Sequence, residues 1–177
     1  MANGMIIGVI GGSGLGQALT GSVQGEAHHP DTPFGRPSGP IIRTRWENVE
    51  LALISRHGPG HTYNPSTVPY RANIYALKAL GVTHIIASGA TGSLREEIQP
   101  RHLVIPDQVI DKTFRRPSTF FDDGIVAHVE MAEPFCPVLR QVLIEAAVDV
   151  QSTVHPRGTY VCMEGPQFST RAESLMH

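Results

Sequence analysis

Short apolar runs separated by glycines and amphipathic stretches dominate the pattern of this chain. Residues 5–10 and His84–Ala87 are almost uninterrupted apolar runs, each followed by small residues, which is typical of strands buried on both faces of a sheet. Two further strands, 41–45 and 49–55, are predicted to meet at a turn, Glu47-Asn48. Later in the chain, 103–105 and 108–110 are expected to continue the sheet, and 158–163 to form another strand.

Helical spacing appears between these runs. Apolar residues recur at helical intervals over 68–80, and Gly81 is predicted to cap that helix at its carboxyl end. Pro137 suits the first turn of a second helix, 137–148, and a third begins at 170. Strands alternating with helices predict an α/β fold, a central mixed β-sheet flanked by helices, in a single domain over 1–177.

Composition limits the function classes. The chain has 177 residues, 41% of them hydrophobic and 17% charged, and a net charge of −2. We expect a compact body, part of whose surface is hidden in an oligomer, and no nucleic-acid partner, because clustered Lys and Arg are lacking. The first residues lack a basic region and a long apolar run, so neither a signal peptide nor a membrane span is expected there. Two distant cysteines, Cys136 and Cys162, favour a reduced cytoplasmic protein.

Candidate anion-binding groups follow the predicted strands. Ser13 stands in a glycine turn after the first strand, where backbone N–H groups cradle anions, although an ordinary tight turn has the same composition. Arg56 and His57 directly follow a strand, and ligands of open α/β sheets collect at such ends. His57 and His61 are four apart, but the intervening Gly-Pro-Gly is incompatible with a helical zinc motif, so no metal is expected. Residues 88–92, also after a strand, permit either close ligand approach or close packing.

Two aromatic or imidazole side chains lie in later loops. Phe168 is predicted on the loop between a strand and a helix capped by Ser169 or Thr170, with Glu173 at the capping-box position. It suits either a core plug or a stacking platform for a flat base. His128 is either packed and hydrogen-bonded or borders an apolar ligand tail.

Taken together, these motifs resemble the methylthioadenosine phosphorylase branch of the trimeric purine nucleoside phosphorylases. The resemblance spans nearly the whole chain and depends on the number and the order of the matching motifs. The stretches concerned are 7–15, 32–38, 56–58, 70–74, 92–98, 131–137 and 164–174.

The resemblance implies that inorganic phosphate attacks C1′ of 5′-methylthioadenosine, giving adenine and 5-methylthioribose 1-phosphate. It implies a homotrimer and no cofactor beyond the phosphate co-substrate. It also assigns roles to individual residues. Ser13, Arg56, His57 and the backbone N–H of Ala90 match phosphate-binding positions, Phe168 and Ser169 match the purine site, and His128 matches a residue lent by a neighbouring subunit.

Two departures from the family bear on activity. The family usually places Thr or Ser where this chain has Gly89, which predicts weaker phosphate binding unless Thr91 or water supplies the hydroxyl. The family also continues past the position of His177, and the acid that engages the purine lies in that continuation. The sequence is therefore expected to be C-terminally incomplete. The 177-residue chain alone is expected to bind phosphate poorly, turn over little and have low stability.

Other functions remain open at this point. A phosphorylase for methylthioinosine or 6-oxopurine nucleosides is one, although those relatives typically have Glu where this chain has Ser169. A catalytically inactive fragment serving binding or assembly is another. A nucleotide-dependent oxidoreductase is a third, weakened because the glycines after the first strand lack the dinucleotide-binding spacing.

Overall fold

The computed structural model describes residues 4–12, 14–15, 18 and 23–177 of the chain. The chain consists of two compact units, Met1–Thr91 and Gly92–His177. The single domain over 1–177 therefore stays a prediction. The described elements, in chain order, are β1 (Ile6–Gly11), β2 (Glu26–His28), β3 (Ile41–Trp46), β4 (Val49–Ser55), a 3-10 turn (Pro59–His61), α1 (Tyr70–Ala79), β5 (His84–Ala87), β6 (Leu103–Val104), β7 (Gln108–Lys112), α2 (Pro137–Asp149), β8 (Val154–His155), β9 (Thr159–Met163) and α3 (Arg171–Met176).

A five-stranded mixed sheet forms the first unit. Its strand order is β2-β3-β4-β1-β5. The first three strands pair antiparallel, and β4, β1 and β5 pair parallel, which confirms the predicted mixed sheet. The apolar run of β1 pairs with β4 on one edge and β5 on the other, and Ile10 of this strand is buried in the core.

The position of β5 corrects one expectation. The run His84–Ala87 was expected to be buried on both faces, but it is the edge strand of this sheet, and Ile85 is 36% exposed. An apolar run of four residues does not distinguish a central strand from an edge strand, because both have the same local composition.

Helix α1 packs its small apolar side chains against the sheet. Ala76 and Leu77 are fully buried with Ile41 and Ile54 in the core of the first unit. Gly81 follows the helix with φ of 85° and donates its N–H to the carbonyl of Lys78, while Val82 N–H reaches back to Leu77. This pattern is a Schellman motif, and it confirms the helix and its glycine cap.

The second unit contains two separate two-stranded parallel sheets. β6 pairs with β8, and β7 pairs with β9. The expectation that 103–105 and 108–110 continue the main sheet is therefore wrong as stated, because their described partners lie about fifty residues later, beyond the reach of local patterns. Helix α2 begins at Pro137, as predicted. None of the described helices combines the length and apolar character that crossing a membrane requires.

Candidate functional site

Three parallel strands end side by side in the first unit. The residues that follow them are Gly12 after β1, Arg56 after β4 and Ser88 after β5. Two backbone hydrogen bonds hold these ends together: Arg56 N–H donates to the Gly11 carbonyl at 2.9 Å, and Ser88 N–H donates to that of Ile10 at 3.0 Å. The register of the sheet thus gathers residues that are far apart in sequence.

The Arg56 guanidinium lies across this junction. Its Nη1 donates to the Ser88 carbonyl at 2.9 Å, and the side chain is half-buried. A Cβ at Gly12 would lie 2.5 Å from Nη2, so only glycine permits this close approach. Among the described residues no carboxylate lies within ion-pair distance of Arg56. A fixed, partly desolvated cation without an acidic partner attracts an anion strongly.

His57 stands beside Arg56 with one ring nitrogen already engaged. Its Nδ1 lies 2.8 Å from the Tyr63 carbonyl, so Nδ1 carries the proton in this contact. Arg56 Nε donates to Nε2 over a longer distance, 3.4 Å. The Nδ1 atom is therefore engaged by the backbone, and Nε2 is the ring nitrogen that lies beside the Arg56 guanidinium.

His61 does not complete a metal site with His57. The two rings stack at a centroid distance of 4.3 Å and an interplanar angle of 14°. Stacked rings present faces to each other, whereas a shared metal needs nitrogen lone pairs that converge on one point. In the described part of the chain, no group of three or more His, Cys, Asp or Glu side chains is arranged to hold a metal ion.

The segment after β5 supplies backbone donors. Gly89 and Ala90 are exposed, and their N–H groups make no hydrogen bond within the described residues. A Cβ at Gly89 would lie 3.6 Å from Arg56 Nη2, an ordinary van der Waals distance. The first unit therefore brings Arg56, His57 and Gly89 together where the parallel strands end, and the role of the next residue, Ala90, stays a prediction. Ser13, the remaining predicted phosphate ligand, lies outside the described residues, and its role stays a prediction.

Gly89 offers a gain-of-function test. Replacing it with Ser adds a hydroxyl beside the guanidinium without a steric clash, so we expect phosphate to bind about tenfold more tightly, the effect of one hydrogen bond to a charged group. Gly89→Ala is the matched control, because it adds the Cβ alone. Titration calorimetry with inorganic phosphate measures both, and equal affinities for the Ser and Ala variants would contradict the prediction.

In the second unit, Phe168 lies on the loop between β9 and α3. Its side chain is 94% exposed, so the interpretation as a core plug is wrong. Ser169 is partly buried, and its hydroxyl lies 2.8 Å from that of Ser174. The Ser169 hydroxyl is therefore hydrogen-bonded to a residue of the following helix.

The helix after this loop has a defined start. Thr170 caps α3, and its hydroxyl accepts the Glu173 N–H while the Glu173 carboxylate accepts the Thr170 N–H at 2.7 Å. Of the two candidate caps, Ser169 and Thr170, the structure has Thr170, with Glu173 as the capping-box residue. The backbone hydrogen bond from Thr170 lowers the pKa of Glu173, so its contribution to stability is present above the unfolded pKa and is lost as the pH falls through the folded one.

The strand before the loop ends at a buried ion pair. Glu164 is 3% exposed, and its carboxylate accepts the N–H groups of Phe114 at 2.7 Å and Arg115 at 3.0 Å. Arg116 Nε lies 3.4 Å from the same carboxylate, and its Nη2 donates to the carbonyls of Met163 and Glu164. This network ties β9 to the segment after β7.

His128 lies in an irregular, exposed segment. The residues around it include Val126 and Val129, which are 79% and 73% exposed, and Met131, which is 60% exposed. Within the described residues, His128 makes no hydrogen bond. The structure thus overturns the interpretation of a packed, hydrogen-bonded histidine within this chain and leaves its ring accessible.

Comparison with known proteins identifies the family. The family model described as "Phosphorylase superfamily" matches residues 6–177. The chain belongs to the phosphorylase superfamily. Within it, the chain is 54% identical over 170 residues to S-methyl-5′-thioadenosine phosphorylase of Pyrococcus horikoshii, covering 96% of this chain and 65% of the relative. It is 50% identical over 173 residues to the protein of that name from Geobacter sulfurreducens, covering 97% and 60%.

A solved structure of the same superfamily has the same fold. It is a variant of adenosine/methylthioadenosine phosphorylase from Schistosoma mansoni in complex with methylthioadenosine, with a TM-score of 0.92 and 38% identity. The match covers 98% of this chain and 68% of that one. The nucleoside phosphorylase-like fold is thereby confirmed. The chain spans 60–65% of the length of the curated relatives above.

Two polar clusters of this superfamily member have no clear signature in the sequence. One is the Glu164–Arg116 network, and the other joins Ser38 and Asn73 beneath the strand ends. The segments that contain these two residues, 32–38 and 70–74, carry part of the family resemblance. A polar Asn on the apolar face of a predicted helix was the available signal, because a buried amide requires a partner.

Proposed function

We propose that the complete protein containing this chain catalyses phosphorolysis of 5′-methylthioadenosine to adenine and 5-methylthioribose 1-phosphate, a step of purine and methionine salvage. The observation that carries this proposal is the Arg56 guanidinium at the junction of three strand ends, which has no carboxylate partner among the described residues and lies beside His57 and Gly89. The names of the relatives supply the substrate.

The chemistry follows from an anion held beside a sugar carbon. A phosphate oxygen forms a bond to C1′, the C1′–N9 bond breaks, and its electron pair leaves on adenine, which takes up one proton. Positive charge develops on the ribosyl group in between, so a bound phosphate stabilises that charge and also supplies the nucleophile. Atoms and charge balance without oxidation or reduction, so we propose phosphate as co-substrate and no redox cofactor.

For the first unit, we propose that Ser13, Arg56, His57 and the Ala90 N–H bind phosphate. Phe168 is proposed to stack on the purine, with Ser169 beside it. The exposure of Phe168 and its place on a loop after a strand support this role, because an exposed ring next to an ordered helix start is available to a flat ligand.

Removing this ring gives a selective prediction. We expect Phe168→Ala to raise the KM for methylthioadenosine about tenfold, since stacking of one base contributes one to three kcal/mol, and to leave the KM for phosphate unchanged. Phe114→Ala is the matched control, because Phe114 is also exposed, at 76%, and belongs to no proposed ligand contact. Initial rates at varied concentrations of each substrate measure both constants. Equal effects of the two variants would remove Phe168 from the base site.

We further propose a homotrimer in which His128 reaches the 5′-substituent of a neighbouring subunit's substrate. Its support is the exposed apolar side chains around His128, those of Val126, Val129 and Met131, because clustered exposed apolar side chains often mark an interaction surface. Sedimentation equilibrium tests the assembly. The free thiols of Cys136 and Cys162 support a cytoplasmic location, where reduced cysteines persist.

A substrate panel tests the proposed reaction. Methylthioadenosine, methylthioinosine and inosine are compared at saturating phosphate with the complete protein, and the released base is quantified. We expect the highest kcat/KM for methylthioadenosine. A preference for inosine or methylthioinosine would move the assignment to 6-oxopurine nucleosides.

A further inference from the structure

Two buried polar side chains in the first unit lie outside the proposed ligand contacts. Ser38 is 3% exposed and Asn73 is 2% exposed. Asn73 is on the core-facing side of α1, and Ser38 lies on the loop before β3. Burial of an amide or a hydroxyl is unfavourable without hydrogen bonds, so each side chain needs a partner.

Their hydrogen bonds lead from the helix to the end of β4. Asn73 Oδ1 accepts the backbone N–H of Ser38 at 2.8 Å. Ser38 Oγ in turn donates to the Ser55 carbonyl at 2.7 Å. The same carbonyl accepts the Gly58 N–H at 3.1 Å, which closes the turn that carries Arg56 and His57. The helix, the loop and the turn are thus connected in series.

Close packing reinforces this connection. Gly58 has φ of 76°, and a Cβ there would lie 2.6 Å from the Ser38 carbonyl oxygen. A Cβ at Gly39 would lie 2.9 Å from Pro59 Cδ. The loop carrying Ser38 therefore rests directly on the turn at 55–59, and glycine is required where the two backbones meet.

We propose that Ser38 and Asn73 are positioning residues for the anion site, acting through the 55–58 turn on Arg56 and His57. Neither touches the ligand. Donors that are fixed before the anion arrives need no reorganisation on binding, whereas a loosened turn weakens anion binding specifically. The expected change in KM rests on the proposed function. The expected change in the Kd of phosphate does not, because binding is measured without the reaction.

The test compares hydroxyl removal at two places in the complete protein. Ser38→Ala removes the donor to Ser55, and Thr44→Val is the matched control, because Thr44 Oγ1 donates to the Gln24 carbonyl at 2.9 Å away from the turn. We expect Ser38→Ala to raise both the Kd and the KM for inorganic phosphate about tenfold, with the KM for methylthioadenosine within about twofold of the parent value. Thr44→Val is expected to change neither.

A second pair of variants keeps the inference testable if Ser38→Ala is poorly folded. Asn73→Asp retains an oxygen acceptor for the Ser38 N–H, and Asn73→Leu removes it. The Asp variant is expected to bind phosphate more tightly than the Leu variant. Equal phosphate affinity of these two variants would overturn the inference, and so would an unchanged phosphate affinity in a folded Ser38→Ala variant. So would a parallel loss of phosphate and nucleoside affinity, which indicates general destabilisation.

Failure of the proposed function is a separate result. If the unmodified protein binds inorganic phosphate but releases no adenine from methylthioadenosine, the reaction assignment fails. The Kd of phosphate in the Ser38 and Asn73 variants then still tests whether these two residues position the anion site. If Ser38→Ala leaves both phosphate constants unchanged while phosphorolysis is normal, the reaction stands and the positioning role is refuted.

Discussion

Arg56→Ala is expected to lower kcat/KM for phosphate about a thousandfold, the upper range for loss of one preorganised group that stabilises transition-state charge. The guanidinium is held at the strand junction by the Ser88 carbonyl and stands over Gly12. Because the proposed nucleophile is a dianion, loss of this cation removes both its attraction and its orientation. Steady-state rates at varied phosphate measure the effect.

Two arginine variants serve as controls. Arg56→Lys keeps the charge but loses the planar fork, so it is expected to recover only part of the activity. Arg36→Ala removes an arginine from the same unit that pairs with Asp31 at the surface, both side chains being mostly exposed. Phosphate kinetics of Arg36→Ala should match those of the parent. A similar loss in both Ala variants would indicate general electrostatic attraction instead of a specific site.

Glu164→Leu is expected to destabilise the protein by about 3–5 kcal/mol, the cost of leaving a buried charge without its partner. The substitution strands the Arg116 guanidinium, whose side chain is 14% exposed, and removes the acceptor of two backbone N–H groups. Chemical denaturation followed by circular dichroism measures the free energy of unfolding. Arg116→Met is expected to show a comparable loss.

The Arg43–Glu50 pair is the matched control for this prediction. Its nitrogen–oxygen distance is shorter, 2.7 Å, but its side chains are 36% and 47% exposed. Water already solvates both charges, so Glu50→Leu is expected to cost about 1 kcal/mol or less. If Glu50→Leu costs as much as Glu164→Leu, burial is not what makes the Glu164 pair important.

Local signals predicted those parts of the fold that depend on neighbours in sequence. The glycine cap at Gly81 and the capping box of Thr170 and Glu173 follow from a few adjacent residues, and both are present. Pairing of β6 with β8 depends on residues some fifty positions apart. No local pattern specifies such a partner, which is why these strands were assigned to the wrong sheet.

The same division applies to the candidate site. Arg56 and His57 were predictable because they directly follow a strand, and strand ends gather ligands. The local pattern left a packing role and a ligand role open for both Phe168 and His128, and only the resemblance to a family favoured the ligand roles. The Ser38–Asn73 connection was not predictable, because it joins residues 35 positions apart through a backbone N–H.

The phosphate dependence of adenine release tests the central claim most directly. Methylthioadenosine is incubated with the complete protein with and without inorganic phosphate, and both adenine and the sugar phosphate, the latter by phosphorus NMR, are quantified. The anion site at Arg56 predicts adenine and 5-methylthioribose 1-phosphate in equal amounts, and no adenine without phosphate. Adenine released at the same rate without phosphate, or without any sugar phosphate, would contradict it.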